Sequence, residues 1–305
     1  MSSGQNVLVT GATGLLGTAI SERLPGEGFR CIPLERKKGE STPTGAWWDP
    51  PAGKVVLDPA LPLRSVIHLA GAGIADKLWT KERKGVLRES RVDATRTLAL
   101  ALAALPPKDR PESMVMASGI GIYGSRGDEL LTEESSDGDG FLATLARDWE
   151  DAAEPARAAG IRVVAVRLGM VLSPSGGALK KMLTPFRLGL GGRIGNGLQN
   201  VSWIALPDAV GVFLTMIGRE DVQGPVNGVA PGCLIQRAFA RELGQALRRP
   251  TVLPVPALAV KLLFGEMGKE LLLSGQRVEP TRLFAIRYPF RYPHLEGALP
   301  AIGVV

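Results

Sequence analysis

The stretch VLVTGATGLLGTAI, residues 7–20, constrains the fold of this chain more than any other. A short apolar run ends at Thr10, and Gly11, Gly14 and Gly17 follow at intervals of three before a helix-like segment. A strand that turns sharply into a helix through glycines is the opening unit of a doubly wound α/β sheet. Each glycine has its own physical task there. Gly11 permits the tight turn, Gly14 lets the backbone approach a pyrophosphate, and Gly17 lets helix and strand pack closely. The helix start then presents unpaired N–H groups and the positive end of its dipole to the phosphates. A mononucleotide phosphate loop does not fit, because no Lys-Ser or Lys-Thr follows the glycines.

The chain supplies the other strands that such a sheet needs. NVLVT at 6, FRCIPL at 29, SVIHLA at 65, SMVMAS at 113 and IRVVAVRL at 161 are short, apolar and rich in β-branched residues. That composition suits parallel strands covered on both faces. Helical stretches from Leu15 to Leu24, Lys81 to Leu105 and Phe141 to Ala159 alternate with them, which makes βαβ units. From about Ser173 the alternation stops. GLGGRIGNG at 189 has no strand before it, and further helices are expected over 207–217, 234–247 and 256–273. The expected architecture is a Rossmann-type doubly wound parallel sheet over 1–172, with 201–232 returning to it. A smaller C-terminal α/β lobe, from 173–200 and 233–305, is expected to close over a substrate cleft.

The end of the second strand selects the dinucleotide. Eighteen residues past Gly17 the chain reads Glu35-Arg36-Lys37-Lys38. A carboxylate there would bind the ribose 2′-OH of NAD, whereas an arginine would accept the 2′-phosphate of NADP. One carboxylate facing three cations leaves a net positive pocket, and guanidinium binds phosphate bidentately. NADP(H) is therefore favoured over NAD(H).

Composition narrows the remaining classes. The net charge of +6 over 305 residues is modest and its Lys and Arg are scattered, which favours small anionic ligands and argues against nucleic acid. Cys31 and Cys233 are the only cysteines, so neither a disulfide framework nor a zinc site can be assembled and no metal is expected. MSSGQ carries no basic or apolar leader. The most apolar runs, LALALAAL and VPALAVKLLFG, fall short of the ~20 residues of a membrane helix and read as buried helices. A cytoplasmic protein, monomer or homodimer, with no membrane partner is the expectation.

The glycine turn, HLAG at 68 and ASGIGIYG at 117 together resemble the extended short-chain dehydrogenase/reductases, the epimerase-like group. WWDP at 47, SRVDATR at 90, RDWE at 147, GGALKKMLTPFRLGLGGRIGNG at 176, SWIALPDAVG at 202, GPVNGVAP at 224 and GEMGKELLLSGQRVEPTR at 265 narrow this to one atypical branch. Its members are called epimerase family proteins and carry a characteristic C-terminal domain. The resemblance covers essentially the whole chain. It implies that Gly11, Thr13, Gly14, Leu15, Leu16 and Gly17 line the pyrophosphate, that Glu35 and Arg36 surround the adenosine ribose, and that Leu69, Ala70 and Gly71 lie beneath the adenosine. Arg91 would reach toward the cofactor or form a helix-surface ion pair. Ser118 and the loop near Met170 would approach the nicotinamide.

The resemblance also exposes a gap. Working members use a Tyr with a Lys four residues later, and the lysine helps to lower a phenol whose free pKa is near 10 by about three units. None of the three tyrosines here has a lysine at that spacing, and where the pair belongs, just before RDWE, stand Phe141 and Leu145. Ser118 keeps the usual serine position and Tyr123 lies five residues on, so these two are the candidate catalytic residues. His68 sits in a strand and reads as packed. Arg187 and Arg193 flank the glycine-rich stretch, and at least one is expected to face the nicotinamide cleft and bind an anionic group of a small-molecule substrate. Two functions stay open: an NADP(H)-dependent oxidoreductase or epimerase with an unorthodox acid, and a non-catalytic dinucleotide-binding sensor or scaffold.

Overall fold

Strands that are apolar on both faces must be covered on both, and helices do so here in a three-layer α/β arrangement. The computed structural model describes residues 5–36, 45–58 and 61–304. The central sheet is built from β1 (Asn6–Thr10), β2 (Arg30–Arg36), β3 (Trp47–Asp49), β4 (Lys54–Val56), β5 (Leu63–His68), β6 (Ser113–Gly119), β7 (Arg162–Leu168) and β8 (Gly224–Gly228). Their spatial order is β8-β7-β6-β5-β1-β2-β3-β4. All neighbours are parallel except β3 and β4, which close as an antiparallel pair with Trp47 opposite Val56. Val7, Leu8 and Val9 of β1 and Val66 and Ile67 of β5 are fully buried, as central strands require.

The five strands expected from composition are present, and three more complete the sheet. β8 is GPVNG, a sequence whose proline and glycines argue against a strand. It is tolerated because it forms the sheet edge, where the N–H that Pro225 lacks costs least.

The helices are α1 (Leu15–Arg23), α2 (Lys81–Arg88), α3 (Ala94–Ala103), α4 (Phe141–Asp151) and α5 (Glu154–Ala158). Thr80 caps α2 by accepting the Arg83 N–H at 3.1 Å. The expected single helix from Lys81 onward is continuous but passes through a π-helical turn at Glu89–Asp93, a feature that recurs at functional sites. Chain order reverses between β1 and β5: β2 lies on one side of β1 and β5 on the other. The crevice outside the carboxyl ends of these two strands is where α/β sheets of this kind take ligands.

After β7 come α6 (Gly177–Arg187), α7 (Leu206–Gly218), α8 (Gln236–Ala246) and α9 (Ala257–Gly268). α7 belongs to the sheet, burying Val212, Phe213 and Met216 in the main core. A second core gathers Leu179, Leu183 and Phe186 of α6, Trp203, and Phe239 and Leu243 of α8. The short strand that holds Met170 pairs in parallel with Trp203–Ala205, tying the two cores together.

α9 corrects the sequence reading. In its VPALAVKLLFG run Val260 is buried, but Leu258, Leu262 and Leu263 all face solvent. Hydrophobicity alone suggested burial, but the helix kinks at Gly265 (φ 55°, ψ −133°), and before the kink Val260 is its buried residue. The other run, LALALAAL, does bury one face of α3 through Leu98, Ala99 and Leu102.

Candidate functional site

The crevice begins with the three glycines. Gly11 has φ +67°, and a Cβ there would come within 3.0 Å of Leu69 and Ala70 backbone atoms, so the first loop is pressed against the second. At Gly17 a Cβ would lie 2.1 Å from the Gly11 carbonyl oxygen, which makes glycine obligatory for the helix–strand contact. Gly14 is different. It precedes α1 with φ −78°, its N–H donates to the Gly11 carbonyl at 3.0 Å, and a Cβ would meet only that carbonyl, at 3.3 Å. The open side of the turn is therefore at Gly14. Leu15 turns the other way, within 3.1 Å of where a Cβ of Gly176 would stand, so the turn before α6 covers the start of α1.

Beneath these loops a fully buried polar chain fixes their spacing. Thr10 Oγ1 accepts the Leu69 N–H at 3.0 Å and the Ala70 N–H at 3.2 Å. With both lone pairs taken, its own proton goes to His68 Nδ1, 2.7 Å away. His68 Nε2–H then donates to Thr95 Oγ1 at 2.8 Å, which also accepts the Trp149 Nε1–H at 2.9 Å. His68 is packed, as the sequence suggested, and the Trp48 ring meets it edge-on at 5.9 Å. Burial pushes its pKa down to about 3. A histidine depressed in the fold stabilises it fully above the ordinary value of about 6.5 and loses that contribution as pH falls toward the folded value. Unfolding by urea should thus show about 2 kcal/mol less stability at about pH 5 than at about pH 7 on this account alone. The His68 ring resonances should stay fixed across the same range. A His68 resonance that titrates near pH 6.5 would contradict the assignment.

The loop after β5 is braced by the π-helical turn. Ser90 Oγ accepts the Ala72 N–H at 3.0 Å, and the Arg91 guanidinium stands where a Cβ on Gly71 would be 3.3 Å from its Cζ. Arg91 makes no ion pair among the described residues. It stacks over Trp149 at 5.1 Å and donates only a long 3.4 Å bond to the Leu87 carbonyl. Burial lowers its pKa to about 10, and the nearby Arg83 adds to the effect. Arg83 itself donates to the Gly73 carbonyl, and its buried Nε has no partner among the described residues. The helix-surface ion pair considered for Arg91 is not formed.

At the end of β2, Glu35 and Arg36 are both exposed, and neither is in an ion pair among the described residues. Lys37 and Lys38 lie outside the described residues. Met170 is half-buried at the seam between the two cores.

The two candidate catalytic hydroxyls are committed elsewhere. Ser118 is buried and donates to Glu150 Oε1 at 2.6 Å. Tyr123 is completely buried; it donates to Asn227 Oδ1 at 2.7 Å and accepts from Arg167 Nη1 at 3.0 Å. Burial raises its pKa, against the pull of Arg167. Between them Arg167 clamps Glu150 bidentately, at 2.9 Å on each oxygen. Burial opposes the Arg167 charge, but the Glu150 carboxylate outweighs it and raises the pKa. This is a structural network under the sheet ends, and Tyr123 is corrected here from a candidate acid to a member of it, because no open face of its ring or hydroxyl remains.

Phe141, where the resemblance leads us to expect a Tyr, meets Trp79 edge-on at 5.0 Å and lies under the Lys84 ammonium at 4.7 Å, while Leu145 is buried. Lys84 is paired with Glu266. Glu270 accepts the N–H groups of Phe141 and Leu142, each at 3.0 Å, capping α4 from the far end of the chain. Sequence reasoning missed Lys84, Glu266 and Glu270, since nothing local marks residues that meet across more than a hundred positions. Arg187, at the end of α6, and Arg193, in the segment that follows, were expected at the cleft; both are exposed and join no ion pair among the described residues. None of the described residues form a cluster that could hold a metal.

Comparison with known proteins agrees with this fold. The NAD dependent epimerase/dehydratase family matches residues 7–227, and a domain of unknown function (DUF1731) matches 255–302. The chain is 38% identical over 303 residues to the cattle (Bos taurus) epimerase family protein SDR39U1, covering 97% of this chain and 99% of that one. It is 32% identical over 300 residues to the Bacillus subtilis epimerase family protein YfhF, with 96% of each covered. The crystal structure of human SDR39U1 with NADPH superposes with a TM-score of 0.85 at 33% identity, over 98% of this chain and 99% of that one. From the Gly11–Gly17 turn to the helices after Val255, the chain belongs to the NAD dependent epimerase/dehydratase family, with the DUF1731 domain at its C-terminus.

Proposed function

We propose that this protein binds NADP(H) in the crevice between the Gly11–Gly17 turn and the Leu69–Gly71 loop, and acts there on a small molecule as an oxidoreductase or epimerase of atypical mechanism. The observation that carries the reading is the turn itself. Gly11 and Gly17 are closed by backbone, whereas Gly14, at the start of α1, is open where a pyrophosphate would approach. The dry, unpaired Arg91 at Gly71 supplies the complementary charge. The NADPH bound to human SDR39U1 supports the choice of cofactor. In this assignment Thr13, Leu15 and Leu16 complete the pyrophosphate site, Arg36 takes the 2′-phosphate beside Glu35, and Leu69, Ala70 and Gly71 lie under the adenosine. Met170 stands toward the nicotinamide. We assign a dinucleotide lobe to 1–172 with 201–232 and a substrate lobe to 173–200 and 233–305, with Trp203 and Leu283 each packed in the other lobe's core. Cys31 and Cys233 are both free thiols, in keeping with a cytoplasmic setting.

A second reading, a dinucleotide sensor without turnover, is favoured by one observation: Phe141 and Leu145 offer no proton at the superfamily's relay positions. Calorimetric titration of NADPH and NADH separates the cofactors. Arg36→Ala should weaken NADPH by about tenfold or more, the worth of one charge-assisted pair, and leave NADH nearly unchanged. Equal weakening of both, or a wild-type preference for NADH, would show that Glu35 governs the pocket. Reduction of ketones or sugar nucleotides by the cofactor-loaded protein would remove the sensor reading.

A further inference from the structure

The feature that the dinucleotide site leaves unexplained is the exposed apolar surface of the second lobe. Segment 188–198 runs beside 250–257: Gly192 bridges Val252, Ile194 bridges Val255, and the Val255 N–H donates to the Arg193 carbonyl at 2.8 Å. This ties the segment that carries Leu188 and Leu190 to the one that carries Val252 and Leu253, and the chain then continues into α9 with Leu258, Leu262 and Leu263. These side chains are not groove walls. Val252 is 80% exposed, Leu262 77% and Leu188 70%, so they protrude. Scattered exposed leucines need no explanation, but a set gathered on paired neighbouring segments does.

Charge decides what covers it. Segments 177–198 and 234–264 together hold nine Lys and Arg against the single carboxylate of Glu242, a surplus larger than the +6 of the whole chain. Lys181 is paired with Asp76, but the ranges that carry or flank the protruding side chains, 187–198 and 248–264, hold five Lys and Arg and no carboxylate. Arg187, Arg193, Arg248, Arg249 and Lys261 stand within or beside the apolar set, exposed and in no ion pair among the described residues. A second copy of this face would set these cations against one another, which costs rather than stabilises. A bilayer with anionic headgroups meets both requirements at once: acyl chains for the leucines and headgroup charge for the arginines. α9 spans 12 residues, and no helix among the described residues is long and apolar enough to cross a membrane, so the contact is peripheral.

We propose that the face formed by the 188–198 strap, the 250–256 strap and the first half of α9 docks on an anionic lipid membrane surface. The inference does not rest on the dinucleotide reading. It is tested by flotation of the full chain with vesicles of phosphatidylglycerol and phosphatidylcholine in equal parts, and with phosphatidylcholine alone. The protein should float with the first and not the second, and raised salt should release it. Leu258→Glu with Leu262→Glu should abolish flotation, and Arg248→Glu with Arg249→Glu should weaken it by about tenfold or more. Because these positions are exposed, circular dichroism and melting of both variants should match wild type, which separates loss of binding from loss of fold. Absence of flotation, or equal flotation with both vesicles, overturns the proposal. So does a sedimenting dimer that Leu258→Glu with Leu262→Glu splits, which would give the face to a second copy. Capture by polyglutamate without any vesicle binding would give it to an acidic protein and overturn the proposal equally.

Discussion

Gly14→Val should lower NADPH affinity by one to several decades while leaving the melting temperature close to wild type. The separation follows from where the new atoms go. Inside the protein a Cβ at residue 14 meets only the Gly11 carbonyl, at 3.3 Å, which small adjustment relieves. The φ of −78° suits any residue. The remaining methyls point into the open side of the turn, where they keep phosphate from the backbone N–H groups. Each charge-assisted hydrogen bond lost is worth roughly 1.5–3 kcal/mol, or about one to two decades. Gly17→Val is the contrasting control: its Cβ would lie 2.1 Å from the Gly11 carbonyl oxygen, so the turn itself must break and stability must fall. Calorimetric titration and thermal melting of both variants check this. A Gly14→Val protein that binds NADPH like wild type would place the phosphates elsewhere.

The largest stability effect should come from Glu150→Ala. Removing this carboxylate leaves the Arg167 guanidinium buried without its bidentate partner, and leaves the Ser118 hydroxyl without its acceptor. Breaking a buried pair from one side costs about 3–5 kcal/mol, most of it the price of the stranded charge. Urea unfolding should register that loss. Adding Arg167→Leu should recover much of it, because the stranded charge goes with the side chain. A Glu150→Ala protein within about 1 kcal/mol of wild type would mean that Arg167 reaches solvent when freed.

What the sequence made legible is what local chemistry controls. β1 and β5 carry the short apolar runs Val7–Val9 and Val66–Ile67 because both their faces are covered, and that can be read without knowing the neighbours. The glycines of the first turn were legible for the same reason: Gly14 and Gly17 answer the Gly11 carbonyl a few positions back and Gly11 its own φ of +67°, although the Leu69–Ala70 backbone that Gly11 also clears lies far along the chain. The Glu150–Arg167 clamp, the Glu270 cap on α4 and the Lys84–Glu266 pair were not legible. Acidic and basic residues are common on surfaces, and only the folded path shows which ones face each other. α9 failed for a related reason. Its hydrophobicity says that it seeks an apolar neighbour, but not whether that neighbour lies in the same chain. Tyr123 was weighed as an acid because of its position in ASGIGIYG, and the neighbours that close it off, Arg167 and Asn227, lie 44 and 104 residues away.

One hydroxyl, that of Thr10, holds both walls of the crevice. By accepting the N–H groups of Leu69 and Ala70 it joins the end of β1 to the loop after β5 before any ligand arrives. Loops that bind dinucleotides through their backbone would otherwise have to be ordered at each encounter, at a cost in chain entropy that subtracts from affinity. Here that entropy is given up once, during folding. An arriving dinucleotide meets a rigid gap of set width, so its association should be governed by diffusion and charge rather than by the waiting time for two loops to find each other.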